Sequence, residues 1–289
     1  MSFVLFTDGC SNLPGSLLNR YDIRLLPCAY TVDGEAAVYS GDIEHFDAHT
    51  YYDRLRAGAK ITTSLINTQQ FLDFFRLEVS RGEDVVYVGL SGGISGTIQA
   101  ARIAAAELME EFPGRSVRIV DSLGAGLGVG LLTCRGAMYR SRGLNADETA
   151  LALERDRMHL CEYFTVGDLA FLRRTGRISA ATAALGTVLN IKPLLRGNEE
   201  GHIVACAKCR GRKKAIEAIA QRYAKMAVNA DEQIVAISHG DCLEDAQALA
   251  KLVREVDNPG ELLILPHEPF TGAHVGPGML ALFFFGQSR

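Results

Sequence analysis

The stretch Val85-Val86-Tyr87-Val88-Gly89-Leu90-Ser91-Gly92-Gly93-Ile94-Ser95-Gly96-Thr97-Ile98-Gln99-Ala100 most restricts what this chain can fold into. It opens on a β-branched apolar run, the pattern of a strand buried on both faces. Glycines and serines follow, and then Ala101, Ala104, Ala105, Leu108 and Phe112 recur at helical spacing. Strand, small-residue loop and helix in that order aim free backbone N–H groups at whatever lies beyond the strand's end. A phosphate or a carboxylate suits such a place, and the hydroxyls of Ser91 and Ser95 share the turn.

The same alternation recurs along the chain. Apolar runs at 3–7, 117–121, 162–166, 234–238 and 262–265 read as strands, and 23–32 as one extended segment. Helical patterns cover about 46–57, the stretch from Phe71, a run to about Tyr139, 151–160, 210–225 and 243–256. Ala180–Leu189 reads as a helix of small residues capped by Ser179. Pro14 suits a first helical turn capped by Ser11 or Asn12. These patterns predict α/β architecture throughout. At 289 residues, two domains fit better than one, and the expected division is 1–160 and 161–289.

Bulk properties exclude several classes. A net charge of −4 argues against general nucleic-acid binding. The N-terminal apolar run is too short for a signal peptide, and no run reaches the roughly 18 residues a membrane-spanning helix needs. Seven scattered cysteines fit a reduced, cytoplasmic chain with structural thiols. Cys206 and Cys209 have redox-motif spacing near His202, but no second pair completes a zinc site, and strand alternation places them on opposite faces. The run Gly124 to Gly130 resembles a dinucleotide loop, yet Val129 stands where the third small residue is required. No phosphate-cradling G-x-x-x-x-G-K-S loop occurs.

Several candidates remain. Thr62, Thr63, Ser64 and Thr68 crowd ahead of a helix that needs only Asn67 or Thr68 as a cap, which makes Thr63 or Ser64 a ligand candidate. Gly89-Leu90-Ser91-Gly92-Gly93 matches the nucleophile elbow G-x-S-x-G, with His274 downstream as a base and Asp241 or Asp257 to orient it. A loop built for backbone approach matches the same pattern without any nucleophile. His274, read as part of the glycine loop Phe270–Gly278, is the first choice among the histidines and His239 the second. Lys208, Arg210, Arg212, Lys213 and Lys214 sit at a strand-to-helix junction, an unfavourable place for cations beside a helix N-terminus. They point to an external anion, and Arg177 could join them.

Taken together, these segments resemble the DegV family, bacterial fatty-acid-binding proteins that act as subunits of fatty acid kinase. Thr7-Asp8-Gly9-Cys10-Ser11-Asn12-Leu13-Pro14 is similar to the family's T-D-S-T-S-D-L-P, Thr63-Ser64 to its T-S-Q-P, and Ser91–Thr97 to its S-S-G-L-S-G-T. Val120-Asp121-Ser122, Gly176–Ser179, Leu189–Pro193 and Gly272–Gly278 are similar to later motifs. The chain departs from the pattern at Gly9-Cys10, Leu65-Ile66 and Gly92. The resemblance implies two α/β domains, the first with a Rossmann-like parallel sheet, and a lipid tunnel between them. It implies a long-chain fatty acid as ligand and no cofactor. The carboxylate would be held by Thr63, Ser95, Gly96 and His274, while Arg177 and Arg210 would serve an ATP-binding kinase subunit and its phosphoryl chemistry. A serine esterase using Ser91 and a stand-alone lipid carrier or sensor are the alternatives.

Overall fold

A computed structural model describes residues 3–36, 38–40, 43–180, 182 and 190–289. Thirteen strands are described: β1 (Phe3–Asp8), β2 (Ile23–Leu26), β3 (Cys28–Val32), β4 (Val38–Ser40), β5 (Ile61–Ser64), β6 (Asp84–Gly89), β7 (Val117–Asp121), β8 (Leu160–Thr165), β9 (Ile191–Gly197), β10 (Ile203–Arg210), β11 (Ile234–His239), β12 (Glu261–Pro266) and β13 (Leu280–Phe285). The described α-helices are α1 (Gly15–Arg20), α2 (Ala48–Arg56), α3 (Thr68–Val79), α4 (Thr97–Glu111), α5 (Leu127–Ser141), α6 (Ala146–Asp156), α7 (Ala170–Arg174), α8 (Arg212–Met226), α9 (Leu243–Val256) and α10 (Pro269–Val275).

The strands form three sheets. A parallel sheet has the order β2-β1-β6-β7, and Val85 to Val88 on β6 are fully buried, as a central strand covered on both faces requires. A mixed sheet has the order β10-β9-β8-β13-β11-β12, and a small antiparallel sheet the order β4-β3-β5. Helix α5 packs against strands of both larger sheets, including β1 and β13. Its glycines explain the dinucleotide-like run: a Cβ on Gly130 would lie 2.6 Å from the Ser11 carbonyl oxygen. The small residues there buy close packing, and one apolar cluster joins Leu5, Val88, Leu132, Leu160 and Phe283 across both sheets.

Several expectations are corrected. The segment 23–32 is two strands in different sheets, separated at Pro27, whose missing N–H cannot continue a ladder. Neither Ser11 nor Asn12 caps α1. Asp8 instead caps a short 3-10 turn at Gly9–Ser11, and Asn12 adopts a left-handed conformation. The helix expected at 151–160 begins at Ala146 behind a capping box of Asn145 and Glu148, and ends at Asp156. β4, β5, β9 and β13 were not anticipated as strands. A bulge between Ala205 and Ala207 breaks the alternation of β10, so Cys206 and Cys209 face the same apolar cluster. Most of the helix expected at Ala180–Leu189 lies outside the described residues, though Ser179 Oγ does accept from the Thr182 N–H at 3.2 Å. No described helix is long and apolar enough to cross a membrane.

Candidate functional site

A cavity of about 500 Å³ lies beside the C-terminal ends of β5 and β6, under α10 and against β8 and β13. Its volume falls in the range of small-molecule sites, roughly 300–1,000 Å³. Leu90, Ile94, Phe164, Leu172, Phe270 and Met279 supply much of the apolar wall.

Thr63, Ser95, Gly96, His274 and Arg177 all line this one cavity. Thr63 stands on β5, in register opposite Tyr30 of β3. Its Oγ1 is 3.0 Å from His274 Nε2. His274 lies in α10 and not in a loop, which corrects the sequence reading. Glycines at 272, 276 and 278 hide a helix whose start is fixed from outside it. The Glu268 carboxylate caps it, accepting from the Phe270 N–H at 2.6 Å and the Thr271 N–H at 2.8 Å. Asn12 in turn holds the approach to α10, donating to the Pro266 carbonyl at 3.0 Å and accepting from the Glu268 N–H. The β1 loop therefore positions His274 indirectly.

Burial, with the Arg177 cation adding to it, lowers the His274 imidazole to about 4, so it is neutral at pH 7. Its Nδ1 has no hydrogen-bond partner among the described residues. Ser95 Oγ sits at the start of α4, 3.3 Å from the Thr97 N–H and 3.0 Å from the Thr97 hydroxyl. Gly96 follows as the N-cap residue, where the helix dipole favours an anion. Arg177 is half-buried and donates to the Thr175 carbonyl. Neutral donors, a helix start and one cation thus line one largely apolar cavity, with Thr63 and His274 in direct contact. Such a set can hold a carboxylate without leaving a buried charge unpaired.

Other candidates lie elsewhere. Arg210 is exposed at the end of β10 and does not line the cavity. Arg212 pairs with Asp245 at 2.8 Å and Lys214 with Glu217 at 2.6 Å, so part of the basic cluster is neutralised internally. Ser91 is fully buried, donating to the Gly201 carbonyl at 2.9 Å and accepting from the Gly93 N–H at 3.1 Å. No described histidine reaches it. Gly93 is there for backbone approach, since a Cβ would fall 2.7 Å from the Gly201 carbonyl carbon. Asp241, offered as a partner for His274, binds Arg56 at 2.5 Å and His49 at 3.2 Å. His239 accepts from the Cys242 N–H at 3.3 Å. Leu65, one of the departures, is half-exposed and lines the cavity, while Ile66 is buried in the core.

The sequence reading missed Glu162, His267 and Thr271 on the cavity wall. His267 lies 2.9 Å from Ser238 Oγ and 2.7 Å from Thr271 Oγ1, a chain that pattern alone does not reveal.

Comparison with known proteins gives a family model that matches residues 2–287 and is described as uncharacterised proteins of the DegV family. The chain belongs to the DegV family. A DegV domain-containing protein of Clostridium perfringens is 37% identical over 287 residues, covering 99% of this chain and 98% of the relative. Among solved structures, a DegV family protein from Thermus thermophilus described for its fatty acid binding superposes with a TM-score of 0.87 at 31% identity, covering 99% of this chain and 100% of that one. A fatty-acid-binding DegV family protein from Streptococcus agalactiae gives a TM-score of 0.85 at 26% identity, covering 100% of both chains. The mixed α/β fold, with a parallel sheet and a second large sheet, is shared with these DegV proteins and is the class expected from the sequence.

Proposed function

We propose that this DegV protein binds a long-chain fatty acid in the cavity and presents its carboxylate to a separate, ATP-binding kinase subunit, which converts it to an acyl-phosphate. The observation that carries the reading is that Thr63, Ser95, Gly96, His274 and Arg177 line one largely apolar cavity, with Thr63 and His274 3.0 Å apart. The fatty acid binding of the Thermus and Streptococcus relatives supports it.

The energetics suit such a ligand. Burying about 14 methylenes gains roughly 11 kcal/mol gross, at about 0.8 each. Ordering and association remove much of that. The head group must then be satisfied, because an unpaired buried charge costs several kcal/mol. Thr63, Ser95 and the start of α4 offer hydrogen bonds, and the neutral His274 can donate through one ring nitrogen. Arg177 lines the same cavity and would meet charge that grows as a phosphoryl group arrives. Arg210, exposed away from the cavity, would contact the partner. Enclosure would also shield the acyl-phosphate from water. The sequence carries no G-x-x-x-x-G-K-S phosphate loop, which supports a reading in which the partner binds the nucleotide. A cytoplasmic location accords with that division of labour.

Titration with palmitate and, separately, incubation with a DegV-type kinase partner and ATP test the two halves. Saturable binding with acyl-phosphate formed only in the mixture is expected. Binding without phosphorylation by any such partner would reduce the protein to a lipid carrier, and absence of binding would overturn the whole reading.

A further inference from the structure

The cavity wall is not uniformly apolar away from His274. Glu162 of β8 lines it, on the same strand face as Phe164, with a side chain only 9% exposed. On the neighbouring strand Phe283 lies opposite Glu162 and Leu280 opposite Thr165. Met279, just after α10, and Phe283 both line the cavity, and four residues of strand span roughly 13 Å. Glu162 therefore lies beside the Gly124–Ala125 loop, on a part of the wall separate from Met279.

The chain makes room for this group at two glycines. A Cβ on Gly128 would lie 1.7 Å from Glu162 Oε1, and one on Gly124 2.2 Å from it. The carboxyl is incompletely satisfied. Oε1 accepts from the Ala125 N–H at 3.1 Å. Oε2 lies 3.7 Å from Arg289 Nη2, an ion-pair separation too long for a hydrogen bond. Arg289 directs its donors to the carbonyls of Asn198 at 2.9 Å, Leu160 at 3.4 Å and Leu123. Among the described residues, no donor reaches Oε2.

We infer that Glu162 makes its part of the cavity wall a polar subsite, which selects acyl chains bearing a hydroxyl over unsubstituted ones. The inference rests on the fatty-acid reading of the cavity. An alkyl chain against Oε2 would leave that oxygen desolvated without a partner, which costs more than a satisfied bond gains. A hydroxyl supplies the missing donor and can also accept. Burial raises Glu162 to about 7, with Arg289 opposing the shift, and a hydroxyl can pair with either form.

The test compares affinities of the full chain for palmitate against ω-hydroxypalmitate and for stearate against 12-hydroxystearate. At least one hydroxylated acid should bind about fivefold tighter than its parent. Glu162→Leu should erase that preference, and Glu162→Gln, which still offers hydrogen-bonding atoms at the same place, should keep it. A wild-type protein that binds neither hydroxylated acid more tightly than its parent overturns the inference, as does a preference that survives Glu162→Leu. If the leucine variant fails to fold, the wild-type ratio decides. Failure of all four acids to bind would instead overturn the fatty-acid reading itself.

Discussion

Thr63 Oγ1 and His274 Nε2 lie 3.0 Å apart although 211 positions separate them in the chain. One is on a strand of the smallest sheet, the other on a helix capped by Glu268 and approached through Asn12. The proposed head-group contacts are thus assembled from distant parts of the sequence. Thr63→Val and His274→Ala should each weaken palmitate binding about tenfold, the loss expected for one buried hydrogen bond to a charged group. Because the two residues share one contact, the double variant should lose less than the product of the single losses, as isothermal titration would show.

The hydroxyl of Ser91 is occupied by the Gly201 carbonyl and the Gly93 N–H. Ser91→Ala should therefore lower stability by about 1 kcal/mol and leave fatty acid affinity unchanged. A fluorophosphonate reagent should fail to label this serine. Labelling at Ser91, absent from the alanine variant, would favour an esterase instead.

Stability should carry a pH signature from two opposed sets of groups. His274 and His267 are lowered to about 4 and about 3, so the unfolded chain takes up protons below pH 6.5 that the folded chain refuses. Their contribution to stability is complete above pH 6.5 and declines as pH falls toward those values. Glu162 and Glu268 are raised to about 7, so the folded chain keeps protons there that the unfolded chain releases above about 4.5. Their contribution declines as pH rises from about 4.5 to 7. Urea titrations of His274→Gln should show its stability gaining on wild type as pH drops from 6.5 to 4, by up to about 1.4 kcal/mol per unit. A difference independent of pH would contradict a neutral, buried His274.

Much of the fold was legible because buried strands and amphipathic helices leave strong periodicities. Val85 to Val88 announced the central strand, and Ala246, Leu249, Ala250 and Val253 the buried stripe of α9. What escaped the sequence depended on partners far along the chain. α10 was hidden because its glycines and Pro269 read as a loop, while the cap at Glu268 is anchored by Asn12. The parity of β10 was misjudged because a bulge leaves no mark in composition. Thr63 stood out as a hydroxyl beyond what a cap requires and Ser95 as one sharing the loop after β6, whereas Gly96 entered only through the resemblance to the DegV family. Glu162 did not stand out, since one acid inside a strand reads as a solvent-facing position until the opposing glycines are seen.

The two arginines assigned to the partner differ in exposure, and their variants should differ too. Arg210→Ala, on an exposed surface away from the cavity, should leave fatty acid affinity unchanged and slow phosphorylation by the kinase partner. Arg177→Ala should weaken binding less than His274→Ala does, yet depress phosphorylation more than tenfold, since its cation would act mainly on developing charge. Full phosphorylation of the Arg177 variant would remove its proposed role.

The most direct measurement is of what the protein carries when purified from a bacterial host. Denaturation, organic extraction and mass spectrometry should release a long-chain fatty acid in a near-equimolar ratio to the chain, and His274→Ala should carry markedly less. Extracts free of any fatty acid, from protein that also fails to take up added palmitate, would contradict the account.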